Sequence, residues 1–453
     1  MIWVRRAFAA PLTLLLIVVL FVVVTVTQVN DTVVNPKFYN DRMTEADVYN
    51  FVYDDVVPAA LDEVEDGGSM DMPIDLSDIE SEIILIVKTI FPPVWMQAQF
   101  ESLTGTLIPY FVGDSDHFTF TLWLKDRLGL AGDAIKAEIL YGDAFTDVYN
   151  DLISYAAAEL HDSLDELPPS VTITEPMLED SLRSVVPEGW LAAQIASAMD
   201  SLIAYVTKDA SHFTISLPFA ELYTDADLLL LLGAGNEAYL DEAWDWIEGE
   251  LTFTDADLMN ELDADDEETL QDVRNWIATG YTVTEADLRE AMADDGNIEG
   301  FDSARRWIHT GRSLLWLMWI LPVVLIAGIG FLGGRSWKGR IAWALGTFLF
   351  AAVVVLVVTM LLYSNVGKPR IVELMFDVNS YQGVAQVLAG KGNELIQNSI
   401  DSFIDGMRMK TVYVIIASGV GLMGVAAWYL VDLSRRRSGR RPVGPMDVSQ
   451  LSS

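Results

Sequence analysis

Four uncharged apolar runs constrain this chain more than any other feature: residues 7–30, 313–334, 341–365 and 411–431 contain no Asp, Glu, Lys, Arg or His. A helix rising ~1.5 Å per residue needs about 20 residues to cross a ~30 Å hydrocarbon core, and each run reaches that length. The sequence predicts a mainly α membrane protein with four transmembrane helices. The first run also fits a secretory signal, since MIWVRR is a positive n-region. Its apolar stretch is longer than a signal core, and VTVTQVND has no small-x-small cleavage site, which favours an uncleaved signal anchor.

Lys and Arg beside the runs predict orientation, because cytoplasmic loops retain positive charge. Arg5 and Arg6 precede the first run; Arg335, Lys338 and Arg340 fill the turn between the second and third; Arg435, Arg436, Arg437, Arg440 and Arg441 follow the fourth. All three clusters fall on one side. Residues 1–6, 335–340 and 432–453 are then cytoplasmic, residues 31–312 and 366–410 lie outside, and a plasma-membrane location follows. Trp316, Trp319, Tyr363 and Tyr413 form the outer aromatic belt, and Trp337, Trp343, Trp428 and Tyr429 the inner one.

Of the 28 Lys and Arg, 10 lie in those clusters and 5 in 366–410, which leaves 13 for residues 31–312. Of the 66 Asp and Glu, 2 lie in the tail and 5 in 366–410, which leaves 59, so this segment carries about −46. Nucleic acid binds through neutralisation of its phosphates by Lys and Arg, so it is excluded as a partner. The surface suits a cationic protein partner or weak divalent cations, and solvation alone also explains it. The chain has no cysteine, which excludes disulfides, thiolate metal sites and cysteine nucleophiles.

The outer segment holds two repeat systems. At an offset of 95 residues, the stretch from Pro93 lies over the stretch from Glu188 without a gap. Trp95 meets Trp190, Gln99 meets Gln194, Tyr110 meets Tyr205, and His117 of HFT meets His212 of HFT. Each stretch changes from helical to alternating periodicity at its HFT, which predicts helix, acidic turn, strand. We take residues 31–134 and 135–223 as two copies of a unit of about 95 residues. Because a lone strand leaves its backbone groups unpaired, the two strands are expected to pair with each other.

The second system is TDADL at 224 and 254 and TEADL at 284, with TEADV at 44. Trp246, Trp276 and Trp307 follow as WIEG, WIATG and WIHTG, which predicts three αα-hairpins over 224–312. Thr in each motif reads as a helix N-cap, with the acid three residues on reaching back to the Thr amide. Tyr223, Phe253, Val283 and Met43 before the caps, and Leu228, Leu258, Leu288 and Val48 after them, have hydrophobic-staple spacing. An EF-hand needs oxygen ligands at alternate positions, Gly at the sixth and Glu at the twelfth, and DADLMNELDADD lacks these. The acidic turns at 262–268 and 293–297 suit only loose divalent binding.

No catalytic, cofactor-binding or metal residue is assigned. His117 and His212 read as turn histidines ahead of strands, and His161 and His309 have no supporting motif. GAGNEA at 233–238 lacks the third glycine of a dinucleotide loop. Uncharged runs argue against a coupled transporter, whose ion path needs ionisable groups at membrane depth. Pro322 predicts a kink in the second run, and Ser418, Gly421 and Gly424 give the fourth a packing face. Residues 366–410 form an outer loop that looks helical from Gly383 to Met409. The whole resembles multi-span bacterial envelope proteins with a large outer domain. The expectation is a non-enzymatic receptor, adaptor or envelope scaffold. The alternatives are a lipid or envelope-polymer carrier with a groove lined by Phe118, Phe120, Phe213 and Ile215, and, less favoured, an extracytoplasmic hydrolase.

Overall fold

The computed structural model describes residues 2–66, 79–163, 174–218, 251–261, 264–294 and 298–438. It is mainly helical, and four of its helices are long and apolar enough to cross a membrane. The first is α1 (Ile2–Asp31). The polar domain follows with α2 (Pro36–Glu45), α3 (Val57–Asp66), α4 (Glu80–Ile90), α5 (Pro93–Val112), β1 (Thr119–Leu122), α6 (Lys125–Ile135), α7 (Phe145–Ser163), α8 (Glu175–Val185), α9 (Glu188–Val206) and β2 (Thr214–Leu217). Beyond the gap come β3 (Leu251–Thr254), α10 (Asp255–Glu261), α11 (Ala264–Thr279), β4 (Tyr281–Thr284), α12 (Glu285–Asp294) and α13 (Ile298–Ser313). The apolar bundle is completed by α14 (Ile320–Gly333), α15 (Trp337–Leu362) and α16 (Gly383–Ser438).

Leu16, Leu20 and Val24 of α1 pack with Leu325 and Ile329 of α14 and with Ala351, Ala352 and Val355 of α15. Ser418 and Gly421 face inward on α16: Ser418 is buried, and a Cβ on Gly421 would lie 3.0 Å from Leu345. Small residues let α16 approach α15 closely at Ser418 and Gly421, whereas Gly424 of the same face is exposed, with nothing within 4 Å of a Cβ there. Helix α14 is broken at Trp319 from the short turn Leu315–Met318, which is where the ring of Pro322 displaces the carbonyl four residues earlier.

Helix α16 has 56 residues, roughly 84 Å at 1.5 Å per residue, so residues 383–410 and the fourth apolar run are one rod. Its start meets α3, where the Val384 amide donates to Glu63 Oε2 at 3.2 Å. Gly383 has φ +54°, and any Cβ there would lie 2.5 Å from that carboxylate. Lower on the rod, Lys410 Nζ donates to Gln28 Oε1 at 2.7 Å and pairs with Asp31 at 2.6 Å. Arg312 reaches Asn30 at 3.0 Å and also pairs with Asp114, which joins α13 to both the bundle and the polar domain.

The strands overturn one expectation. β1 and β2 do not pair with each other: β1 runs antiparallel to β4 and β2 antiparallel to β3. The partners are YTVT and LTFT, the stretches just before the acidic motifs, so Phe253 and Val283 sit in strands as well as at staple positions. The 95-residue offset carries Thr119 onto Thr214, and the 30-residue spacing carries Thr284 onto Thr254. Thr119 pairs with Thr284 and Thr214 with Thr254, so both ladders have the same register.

The motifs at 254 and 284 start helices as expected. The Thr254 amide donates to Asp257 Oδ2 at 2.8 Å and the Asp257 amide donates to the Thr254 hydroxyl at 3.3 Å; Thr284 and Asp287 repeat the first contact at 2.7 Å. The motif at 44 does not. Thr44 lies in the last turn of α2, a helix already started by Asn35 and Pro36, and its hydroxyl donates to the Asn40 carbonyl. Thr224, Trp246 and the loop at 233–238 lie outside the described residues. The two hairpin blocks that are described each open with a strand, which the all-helical expectation lacked. The pair α4 and α5, bent by 45°, is a fifth apolar candidate for crossing a membrane; Thr104 of α5 donates to Asn40 of α2, which ties it to the polar domain.

Candidate functional site

The polar domain contains a clasp that occurs twice. In each, a long helix ends in a Schellman turn. Gly113 (φ +80°) and Lys208 (φ +60°) occupy its left-handed position, with Asp114 N donating to Pro109 O and Asp209 N to Ala204 O, both at 2.9 Å. A buried arginine then closes each turn from a helix of the later blocks. Arg305 of α13 lies 4.3 Å over the Tyr110 ring and donates to the Tyr110 carbonyl at 2.7 Å. Arg274 of α11 lies 3.6 Å over the Tyr205 ring and donates to the Tyr205 carbonyl at 3.0 Å. Cation–π attraction and the negative end of a helix both favour guanidinium there.

Beyond each turn, a histidine meets the first acid of the facing motif. His117 Nδ1 lies 3.2 Å from Glu285 Oε1, and His212 Nδ1 lies 2.8 Å from Asp255 Oδ2. His309 Nδ1 lies 3.3 Å from Asp114 Oδ1. The turn histidines are where the sequence placed them, and each has an acid partner that linear reading did not supply. Glu285 is held below the usual carboxylate range, first by its own backbone amide and then by His117. Asp257 and Asp287 are held low by Thr254 and Thr284. The imidazoles of His117 and His212 are largely exposed, and Glu285 also accepts from the Phe118 amide, an arrangement that fastens chain segments together.

The two clasps differ in what surrounds them. A cleft of about 680 Å³ beside the first is lined by Asp116, Asp302, Arg305, Arg306 and His309, while one of about 660 Å³ beside the second is lined by Asp200, Ser201 and His212. Among the described residues no group of three His, Asp or Glu is placed to hold a metal ion. Past the end of the first ladder lies an aromatic patch. Trp276 and Tyr281 pack edge to face with centroids 5.4 Å apart, and Gly280 between them approaches Trp123 closely. Trp123 is 60% exposed, Trp276 46% and Tyr281 44%.

Sequence reading missed Arg274 and Arg305. The available signal was their common place two residues before Trp276 and Trp307 in the repeated blocks, RNWIATG and RRWIHTG. No family model matches this chain, and neither do the curated proteins or the solved structures compared with it.

Proposed function

We propose that this is a non-enzymatic multi-pass protein of the cell membrane, with both termini cytoplasmic, whose acidic outer domain holds a protein partner as a receptor, adaptor or envelope scaffold. The exposed aromatic patch of Trp123, Trp276 and Tyr281 is the observation that carries this reading. Large aromatic side chains kept in water on a rigid framework favour partner contact, since they add binding area at little entropic cost. With a segment charge near −46 around it, the complementary partner presents a basic rim. The two clasps are read as copies of one duplicated unit, assembled from the 95-residue and 30-residue repeats together. The carrier alternative is weakened by Phe118 and Phe213, which are 2% and 3% exposed and pack against Tyr110 and Tyr205 of their own clasps.

The test is site-specific photo-crosslinking in intact cells of the full chain, with the crosslinker at Trp123 or Trp276 and, as control outside the aromatic patch, at Asp200 in the cleft beside the second clasp. One discrete adduct from the first two positions only, lost at high salt, is expected. Equal adducts from all three positions, or none, would sink the reading.

A further inference from the structure

We infer that the bundle end carrying Arg335, Lys338 and Arg340 holds an anionic phospholipid in a groove between α15 and α16. The groove has a volume of about 600 Å³. Ala342, Val425 and Ala426 line its apolar part, and Ser336, Lys338 and Tyr429 stand at its mouth. From residue 422 to residue 430 of α16 the groove descends roughly 12 Å, the depth from headgroup to upper acyl chain. In a bilayer, only lipid or another helix reaches such a surface, because water is absent at that depth.

Charge selects among lipids. Residues 335–340 and 432–441 hold eight Lys and Arg (Arg335, Lys338, Arg340, Arg435, Arg436, Arg437, Arg440 and Arg441) against one acid, Asp432. Lys338 Nζ lies 3.1 Å from Asp432 Oδ2 and 4.6 Å over the Trp428 ring, which anchors the ammonium at the mouth with donors to spare. Ser336 caps α15 by accepting from the Gly339 amide at 3.1 Å, so the positive end of that helix faces the same mouth. A phosphodiester there replaces Asp432 as the partner of Lys338, and Asp432 is its built-in competitor. Which leaflet holds the lipid depends on the orientation proposed above; the lipid class does not.

The experiment is native mass spectrometry of the full-length chain released from detergent containing equal phosphatidylglycerol and phosphatidylcholine. Preferential retention of phosphatidylglycerol is expected. Lys338→Gln lowers that preference about fivefold, from ~1 kcal/mol per basic residue near a membrane surface, and Lys338→Arg restores it. Asp432→Asn raises the preference, which a merely structural salt bridge would not do. Ala426→Phe fills the groove and removes the adduct. Equal retention of both lipids, a preference untouched by Lys338→Gln and Asp432→Asn, or a lipid-free dimer through this face would each overturn the inference.

Discussion

At the scale of single residues, the two clasps form a natural control for each other. Gly113 and Lys208 occupy the same left-handed turn position, and only glycine does so without steric cost. Lys208→Gly should therefore raise stability by about 1 kcal/mol, because the exposed contact of Lys208 with Asn275 contributes little in return. Chemical denaturation of the purified chain measures it, and an unchanged or lowered midpoint would show that the side chain matters more than the backbone. The capping carboxylates give a pH signature. Asp287 is depressed in the folded state, first by the Thr284 amide, so its contribution is complete above the unfolded carboxylate pKa and is lost as pH falls through the lower folded value. Asp287→Asn is expected to lower the unfolding temperature at neutral pH, and the gap to the unsubstituted chain should close on acidification. A gap constant with pH would exclude the ionised cap.

At the scale of elements, strand pairing is nested: the first strand takes the last, and the second takes the third. The chain has no cysteine, so engineered pairs report on this directly. Thr121 and Thr282 face each other with hydroxyls 3.0 Å apart, within disulfide reach for directly opposed strand residues. Thr121→Cys with Thr282→Cys should oxidise to a closed loop seen as a mobility shift, whereas Thr121→Cys with Ser216→Cys should not. The opposite result would restore the pairing of β1 with β2. Helices, turns and the strand at each HFT were legible because each rests on local periodicity and capping chemistry. LTFT and YTVT were not read as strands, because four residues before a strong helix start also fit a staple.

At the scale of the whole molecule, α16 joins the bundle to the polar domain as one rod, clamped at Glu63, Gln28 and Asp31. Impermeant maleimide on intact cells tests the proposed orientation: Ser115→Cys should label and Ser336→Cys should label only after permeabilisation. Labelling of Ser336→Cys from outside would invert the topology.

The amino-acid order by itself determined the apolar runs and the helix starts at Thr254 and Thr284, since these depend on neighbours within a few turns of chain, and it displays the 95-residue and 30-residue spacings directly. Tertiary structure alone decided that Arg305 lies on Tyr110, that Arg274 lies on Tyr205, and that each HFT strand finds its partner in a different repeat system. Those contacts span up to 195 residues. A strand edge and a buried guanidinium accept many partners of equal local merit, and only packing the whole domain selects one.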